Sequence, residues 1–411
     1  MTRVVVTGFG AISPLGHDWD AVYARLKTRQ NAVQFMEEWA TYEGLHTRVG
    51  ALAQPFELPI EKYNRKSTRS MGRVAVMAVR ASEKALQDAG LLNDPVLKSG
   101  RVGISYGSSA GTPKSMGDFG RMIINKSTEG INATTYIKMM SHTAAVNIGV
   151  FFGLTGRIVP TSSACTSGSQ GIGYAYEMIQ SGRQVAMLAG GAEELDATEA
   201  AVFDTLFATS VKHNETPHLT PRPFDANRDG LVLGEGACTL VLESLDHALA
   251  RGAKIHAEII GYGTNSDGRH VTQPNSATMA QAMTLALEDA GLPPSAIAYV
   301  NAHGTATDHG DVAESHATHS VFGEYMPISS LKSYMGHTLG ACGALEAWMT
   351  IEMMRSGWFA PTLNLEQVDA KCAPLDYITG DGRAIQTDVV MSNNFAFGGI
   401  NTSLIFSRWK D

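Results

Sequence analysis

Three segments of this chain return later in the same order. KALQDAGL at 84–91 recurs as LALEDAGL at 285–292, each copy closing an alanine-rich helical stretch at a glycine stop signal. Upstream, VVVTGFGAIS at 4–13 is echoed by AEIIGYGTNS at 257–266. Downstream, EMIQSG at 177–182 is echoed by EMMRSG at 352–357. Ordered echoes imply duplication of one α/β unit more than chance reuse of alanine-leucine helices. Two halves are therefore expected, 1–250 and 251–411, with RGAKI at 251–255 as the entry to the second. Apolar runs such as VAMLAGGA and VVMSNN read as central strands covered by helices on both faces. A site between such halves can draw residues from both.

A length of 411 residues is more than one simple core organises, and 44% hydrophobic with 18% charged residues is a globular composition. The net charge of -8 excludes a general nucleic-acid binder, which needs a basic surface. Cys165, Cys238, Cys342 and Cys372 form no C-x-x-C pair, so neither a zinc site nor a disulfide framework is expected, in line with a reducing compartment. The opening MTRVVVTGFG reads as a strand and its turn, without the apolar core of a signal peptide. No apolar run has the length of a membrane span. A cytoplasmic protein with no membrane partner is the expectation. Residues 31–66, 111–136 and 212–236 are the least regular stretches, and long loops of this kind commonly cap a site.

In IVPTSSACTSGSQGIGYAYEMIQSG, Cys165 lies between a β-branched strand and a small-residue helix. Such a turn lifts the sulfur toward a helix N-terminus, whose free N–H groups favour the thiolate. Gly168 is expected to let the helix start pack against the strand. Cys238 and Cys342 read as packing residues. NAHGTATDHGDVAE puts His303 at the end of a strand, and SSLKSYMGHTLGACGALEA puts Lys332 and His337 on a loop feeding a glycine-rich helix. No H-E-x-x-H or comparable ligand spacing occurs, so no metal is expected.

TSSACTSG, VNAHGTAT, LKSYMGHTLGACG and SNNFAFGGIN, in this order and joined by RPFDANRDGLVLGEGA, resemble the β-ketoacyl-acyl-carrier-protein synthases of the thiolase superfamily. The nearest likeness is to elongating type I and II synthases with a Cys-His-His triad, and it runs from the first strand to the last. It implies a thiolase-like five-layered α-β-α-β-α fold made of two pseudo-symmetric halves. It also implies ping-pong chemistry without a bound cofactor, the phosphopantetheine arm arriving on acyl carrier protein. Cys165 would carry the acyl group, and the N–H groups of Cys165 and Phe397 would form the oxyanion hole. His303 and His337 would stabilise the enolate left by malonyl decarboxylation. Lys332 and Glu314 match support residues, Thr305 and Thr307 match threonines that hold the pantetheine arm, Phe395 is implied to bind substrate, and Phe397 would be the gate to the acyl pocket.

Two departures from the family pattern stand out. Ala396 and Ile400 replace a glycine and a threonine of the gate loop, which narrows the loop's conformational range. Ala110 stands where a relative has a bulky aliphatic residue, so a longer or wider acyl pocket is expected. Arg65, Lys66, Arg69 and Arg73, at near-helical spacing, offer a local basic patch for docking the acidic carrier. The segment from Gly8 to Ser13 lacks the third glycine of a dinucleotide fingerprint. The segment from Asp225 starts like a calcium loop but has Gly236 where the glutamate should be. Three rivals compete: a non-catalytic chain-length-factor subunit, which would lack Cys165; a thiolase, which would need a cysteine in place of His337; and a Cys-His-Asn priming synthase. A homodimer, or a heterodimer with a related subunit, is the expected assembly.

Overall fold

A computed structural model describes residues 1–410. Eleven strands form its main sheet: β1 (Val4–Ile12), β2 (Val102–Gly107), β3 (Ile158–Pro160), β4 (Ala186–Glu193), β5 (Gly236–Ser244), β6 (Ala257–Ser266), β7 (Val300–Asn301), β8 (Pro327–Ser329), β9 (Asp376–Tyr377), β10 (Val389–Ala396) and β11 (Ile400–Arg408). The spatial order is β9-β8-β7-β10-β11-β6-β1-β5-β4-β2-β3. Its centre is an antiparallel seam where Val4, Val5 and Val6 of β1 face Ile259, Glu258 and Ala257 of β6. Outward from the seam, one side runs 1-5-4-2-3 and the other 6-11-10-7-8, with β9 appended. On each side the first two pairings are antiparallel and the next two parallel. The two sides are one topology used twice.

The echoed segments fall on matching elements. GFG in β1 and GYG in β6 each lie under a helix, Arg73–Asp88 and Ser276–Ala290. A Cβ on Gly8 or Gly10 would strike the carbonyl of Ala85 or Ala81, and one on Gly261 or Gly263 that of Ala286 or Ala282. Glycine is required by close helix–strand approach, twice over. This is the work of the glycines that resemble a dinucleotide motif.

Burial separates five layers. Helices Ser167–Gln180 and Cys342–Ser356 pack on each other between the two half-sheets, inside the core that contains Ile172, Tyr176, Leu345 and Met349. Arg73–Asp88 and Thr143–Phe152 cover the outer face of the first half-sheet, and Ser276–Ala290 with Asp308–Phe322 cover the second. These layers are the α-β-α-β-α thiolase-like arrangement that the family resemblance implies.

Two local expectations change. Much of 111–136 is helical, with Pro113–Asn125 continuing through Gly117 and Gly120, two residues that hide a helix from propensity. The basic segment is not one helix: Arg65–Thr68 makes a single turn, and Arg73 opens a separate helix behind Gly72. Gly168 lies against the strand at Gly191 as expected and also faces Gly340 and Ala344 of the neighbouring central helix, while Gly171 makes a further close approach to the strands at Ser105 and Gly190.

Candidate active site

Cys165 sits in a 3-10 turn, Ala164–Thr166, that leads directly into the central helix. Ala164 takes φ +50°, a left-handed conformation costly for a residue with a Cβ, and the strained elbow turns the sulfur toward the second half. There it meets two imidazoles. The ligating atoms of Cys165, His303 and His337 lie within 4.8 Å of one another, and all three residues are buried. The imidazole rings stand perpendicular with centroids 5.1 Å apart.

Burial sets the protonation states. The Cys165 thiol is pushed up to about 11 by burial, against the opposing pull of the Lys332 charge and of the Phe397 and Cys165 N–H groups aimed at the sulfur. The helix N-terminus alone does not make a resting thiolate. His303 is held well below the usual imidazole range by burial, Lys332 and His337; His337 is held there by burial and Lys332. Both rings are neutral at neutral pH. His337 Nδ1 accepts the Leu339 N–H at 3.3 Å, which puts the ring proton on Nε2, an atom with no protein partner. Nδ1 of His303 also lacks a partner. A thiol and two imidazoles this close are also a metal donor set, but the Lys332 charge acts on all three and opposes a second cation.

Lys332 and Glu314 are both buried, but they do not pair with each other. Lys332 Nζ bonds Glu346 Oε1 at 2.5 Å, and Asn394 Nδ2 donates to Glu346 Oε2 at 2.7 Å. Glu314 instead accepts the backbone N–H groups of His303 and Gly304, each at 2.7 Å, and burial lifts its carboxyl to about 8. Lys332 is thus a buried charge beside the site, and Glu314 is a clamp on the turn that carries His303.

A cavity of about 620 Å³ opens onto the triad, with Phe203, Thr305, Thr307, Phe395 and Phe397 among its walls. Thr305 and Thr307 share a 2.9 Å hydroxyl contact. The Phe395 ring lies 6.1 Å from His303, and the Phe397 ring packs on Phe203 at 5.0 Å. Ala396 ends β10 in regular register with Ile400, so its methyl causes no strain; the left-handed positions of the turn are Gly398 and Gly399. Ala110 is half-buried, and its N–H donates to Glu193 at 3.2 Å. Arg65, Lys66 and Arg69 are exposed, whereas Arg73 makes a two-point ion pair with the buried Glu235. Cys342, read as packing, touches the site: its thiol donates to the Cys165 carbonyl at 3.2 Å.

Glu193, Asp267 and Asp311 escaped the sequence reading. Glu193 is fully buried and gathers Ser108, Ser109, Ala110 and the Gly340 N–H behind the site. Asp267 accepts from Asn401 at 2.8 Å, and its N–H binds Gly399 at 2.7 Å, which ties down the gate hairpin. The available signal was a carboxylate ending an apolar strand, as Glu193 does in LAGGAE.

The fold and this triad define a condensing acyltransferase of the thiolase type. The Beta-ketoacyl synthase N-terminal domain matches residues 1–248 and its C-terminal domain residues 256–366, so the chain belongs to the β-ketoacyl synthase family. It is 38% identical to 3-oxoacyl-[acyl-carrier-protein] synthase 1 of Haemophilus influenzae, with all of both chains covered. Among solved structures, a beta-ketoacyl synthase from Burkholderia phymatum matches over 100% of both chains at 63% identity and TM-score 0.98. The ishigamide ketosynthase/chain length factor matches, also over 100% of both chains, at 30% and 0.89.

Proposed function

We propose that the chain is an elongating β-ketoacyl-acyl-carrier-protein synthase in fatty acid or specialised polyketide synthesis. The observation that carries this reading is the convergence of a thiol from one half with two neutral imidazoles from the other. Cys165 attacks the thioester of an acyl carrier protein; the acyl–sulfur bond forms on Cys165, and the thiol proton leaves on the displaced pantetheine thiol. The N–H groups of Cys165 and Phe397, aimed at the sulfur, hold the oxyanion beside it. Malonyl carrier then loses carbon dioxide. Its enolate oxygen takes hydrogen bonds from His303 and His337, which are neutral and so remain donors without competing for a proton. The carbanion attacks the acyl-Cys165 thioester, the thiolate departs and regains a proton, and a 3-oxoacyl carrier is released.

Lys332 and Glu314 support the imidazoles, through charge and through the backbone of the His303 turn respectively. Thr305 and Thr307 face the pantetheine arm. Phe397 gates the acyl pocket, Phe395 binds substrate beside His303, and Ala110 leaves that pocket room for longer or stiffer chains. The boundary near residue 250 separates the half that supplies the nucleophile from the half that supplies both imidazoles. No resident cofactor or metal enters this scheme.

Carrier protein docks on Arg65, Lys66 and Arg69, beside a groove that Lys62 and Lys98 also edge; Arg73, committed to Glu235, contributes less. The open edge of β3, with Ile158 and neighbouring Val150 exposed, supports pairing with a second copy or a related subunit. Cytoplasmic action fits four unpaired cysteines and the absence, among the described residues, of any helix long and apolar enough to cross a membrane. Mass spectrometry of the protein incubated with a panel of acyl carriers should find the acyl mass on Cys165. No adduct with any member would sink the reading.

A further inference from the structure

The block RPFDANRDG comes from the first half, yet its Arg228 is spent on the second. Its side chain is 3% exposed, and each of its five N–H donors has a partner. Nε donates to the Thr307 carbonyl at 3.2 Å. Nη1 donates to the Asp225 carbonyl at 2.9 Å and to Asp369 Oδ2 at 2.7 Å. Nη2 donates to the Asp308 carbonyl at 3.0 Å and to its Oδ1 at 3.2 Å. A second tie runs beneath the first. Buried Asp311 lies 3.6 Å from the guanidinium, accepts the Thr305 and Ala306 N–H groups at 3.0 and 3.1 Å, and accepts the Phe224 N–H at 2.7 Å. The segment so held is strained, because Ala306 takes φ +66° with a Cβ to accommodate.

With all five donors engaged inside the protein, Arg228 has none left for a phosphate or carboxylate of a substrate. What it fixes is the turn itself, between His303, clamped separately by Glu314, and the helix that begins at Asp308. The hydroxyls of Thr305 and Thr307 face the cavity from this turn. We propose that Arg228 is a positioning residue: it sets the distance of the Thr305–Thr307 pair from the thiol and so governs binding of the pantetheine arm. Its planar fork matters as much as its charge, since a lysine ammonium has three donors and cannot span Thr307, Asp225, Asp369 and Asp308 together. The start of an apparent calcium loop therefore has a different task. The Asp225 carboxylate is taken up by the Arg222 guanidinium at 3.3 Å and by the Asn227, Glu366 and Gln367 N–H groups, which anchors the block on the second half.

The proposal rests on the condensing-enzyme reading, and the test separates the two. The full-length Arg228→Lys variant is assayed with malonyl carrier and, separately, for Cys165 alkylation by iodoacetamide, a reagent with no pantetheine arm. The expected result is a KM raised about tenfold or more with kcat changed by less than about threefold, and alkylation at the wild-type rate. Asp369→Ala removes one of the five partners and should move KM the same way by a smaller factor, which keeps the test valid if Arg228→Lys folds poorly. In the double variant Arg228→Lys/Thr307→Ala, the KM effects should fall short of multiplying, since both act through Thr307. An unchanged KM, a parallel loss of kcat and alkylation, or full multiplication of the two effects would overturn the assignment. Failure of the wild-type protein to form an acyl adduct would overturn the condensing reading instead.

Discussion

The two halves build the same elbow and use it differently. Ala164 at φ +50° and Leu339 at φ +45° each start a 3-10 turn that runs into a central helix. In the first half the next residue is Cys165. In the second it is Gly340, where a Cβ would lie 2.7 Å from Glu193 Oε2 and 2.9 Å from the Ser109 N–H nitrogen. One elbow holds a side chain out into the cavity, and the other is pressed flat against the loop behind it. The loops after β7 and β8 carry the imidazoles, whereas their counterparts after β2 and β3 carry Ser108–Ala110 and the nucleophile turn. The sheet offers two equivalent frameworks, and on the proposed function the chemistry is divided between them so that nucleophile and donors face each other.

The comparison can be broken most forcefully at the buried charge. Lys332→Ala strips Glu346 of its cation in a fully buried setting. The loss should be about 3–5 kcal/mol of stability in addition to slower decarboxylation, read by chemical denaturation beside turnover. The sequence alone gives a purely kinetic effect, and unchanged stability would return Lys332 to that role. Gly340→Ala gives the flattened elbow a side chain and should cost about 1–3 kcal/mol, seen as a lower Tm, because Glu193 and the Ser108–Ser109 backbone must move. A neutral result would mean that the second elbow is not a backing surface.

The smallest effect is a pH slope. Burial raises the Glu314 carboxyl from the ordinary 4.5 to about 8, so between those values the folded state holds more protons than the unfolded chain. Stability from this group is greatest at low pH and is lost as pH rises through 8. Glu314→Gln should flatten the fall in Tm between pH 5 and 8, and an unaltered slope would assign it to another group.

Much of this arrangement was legible in the residues. The echoes predicted the doubled sheet because a helix can approach a strand closely only over glycine, and GFG and GYG preserve that need. Cys165, His303 and His337 were visible through the ordered blocks that resemble the family, and the structure brings the three within 4.8 Å of one another. Long-range backbone bonding was not visible. Glu193 works through amides 83 to 147 residues away, and Arg228 through carbonyls and carboxylates up to 141 residues away, neither of which leaves a local pattern. The lysine's partner was equally hidden: Glu346 lies within a mostly apolar helix, and only the fold turns it toward Lys332. Burial also decided the state of the nucleophile: it keeps Cys165 a thiol at rest, where the sequence alone has the helix N-terminus favour the thiolate.

The division of labour between the halves has a direct test. On the proposed mechanism, His303→Ala removes an enolate donor contributed by the second half and leaves the Cys165 elbow and its two N–H groups in place. After incubation with acyl carrier followed by malonyl carrier, mass spectrometry should find the acyl group still on Cys165, with 3-oxoacyl product reduced by roughly two to three orders of magnitude. Product formed at the wild-type rate, or no acyl group on Cys165, would contradict the account.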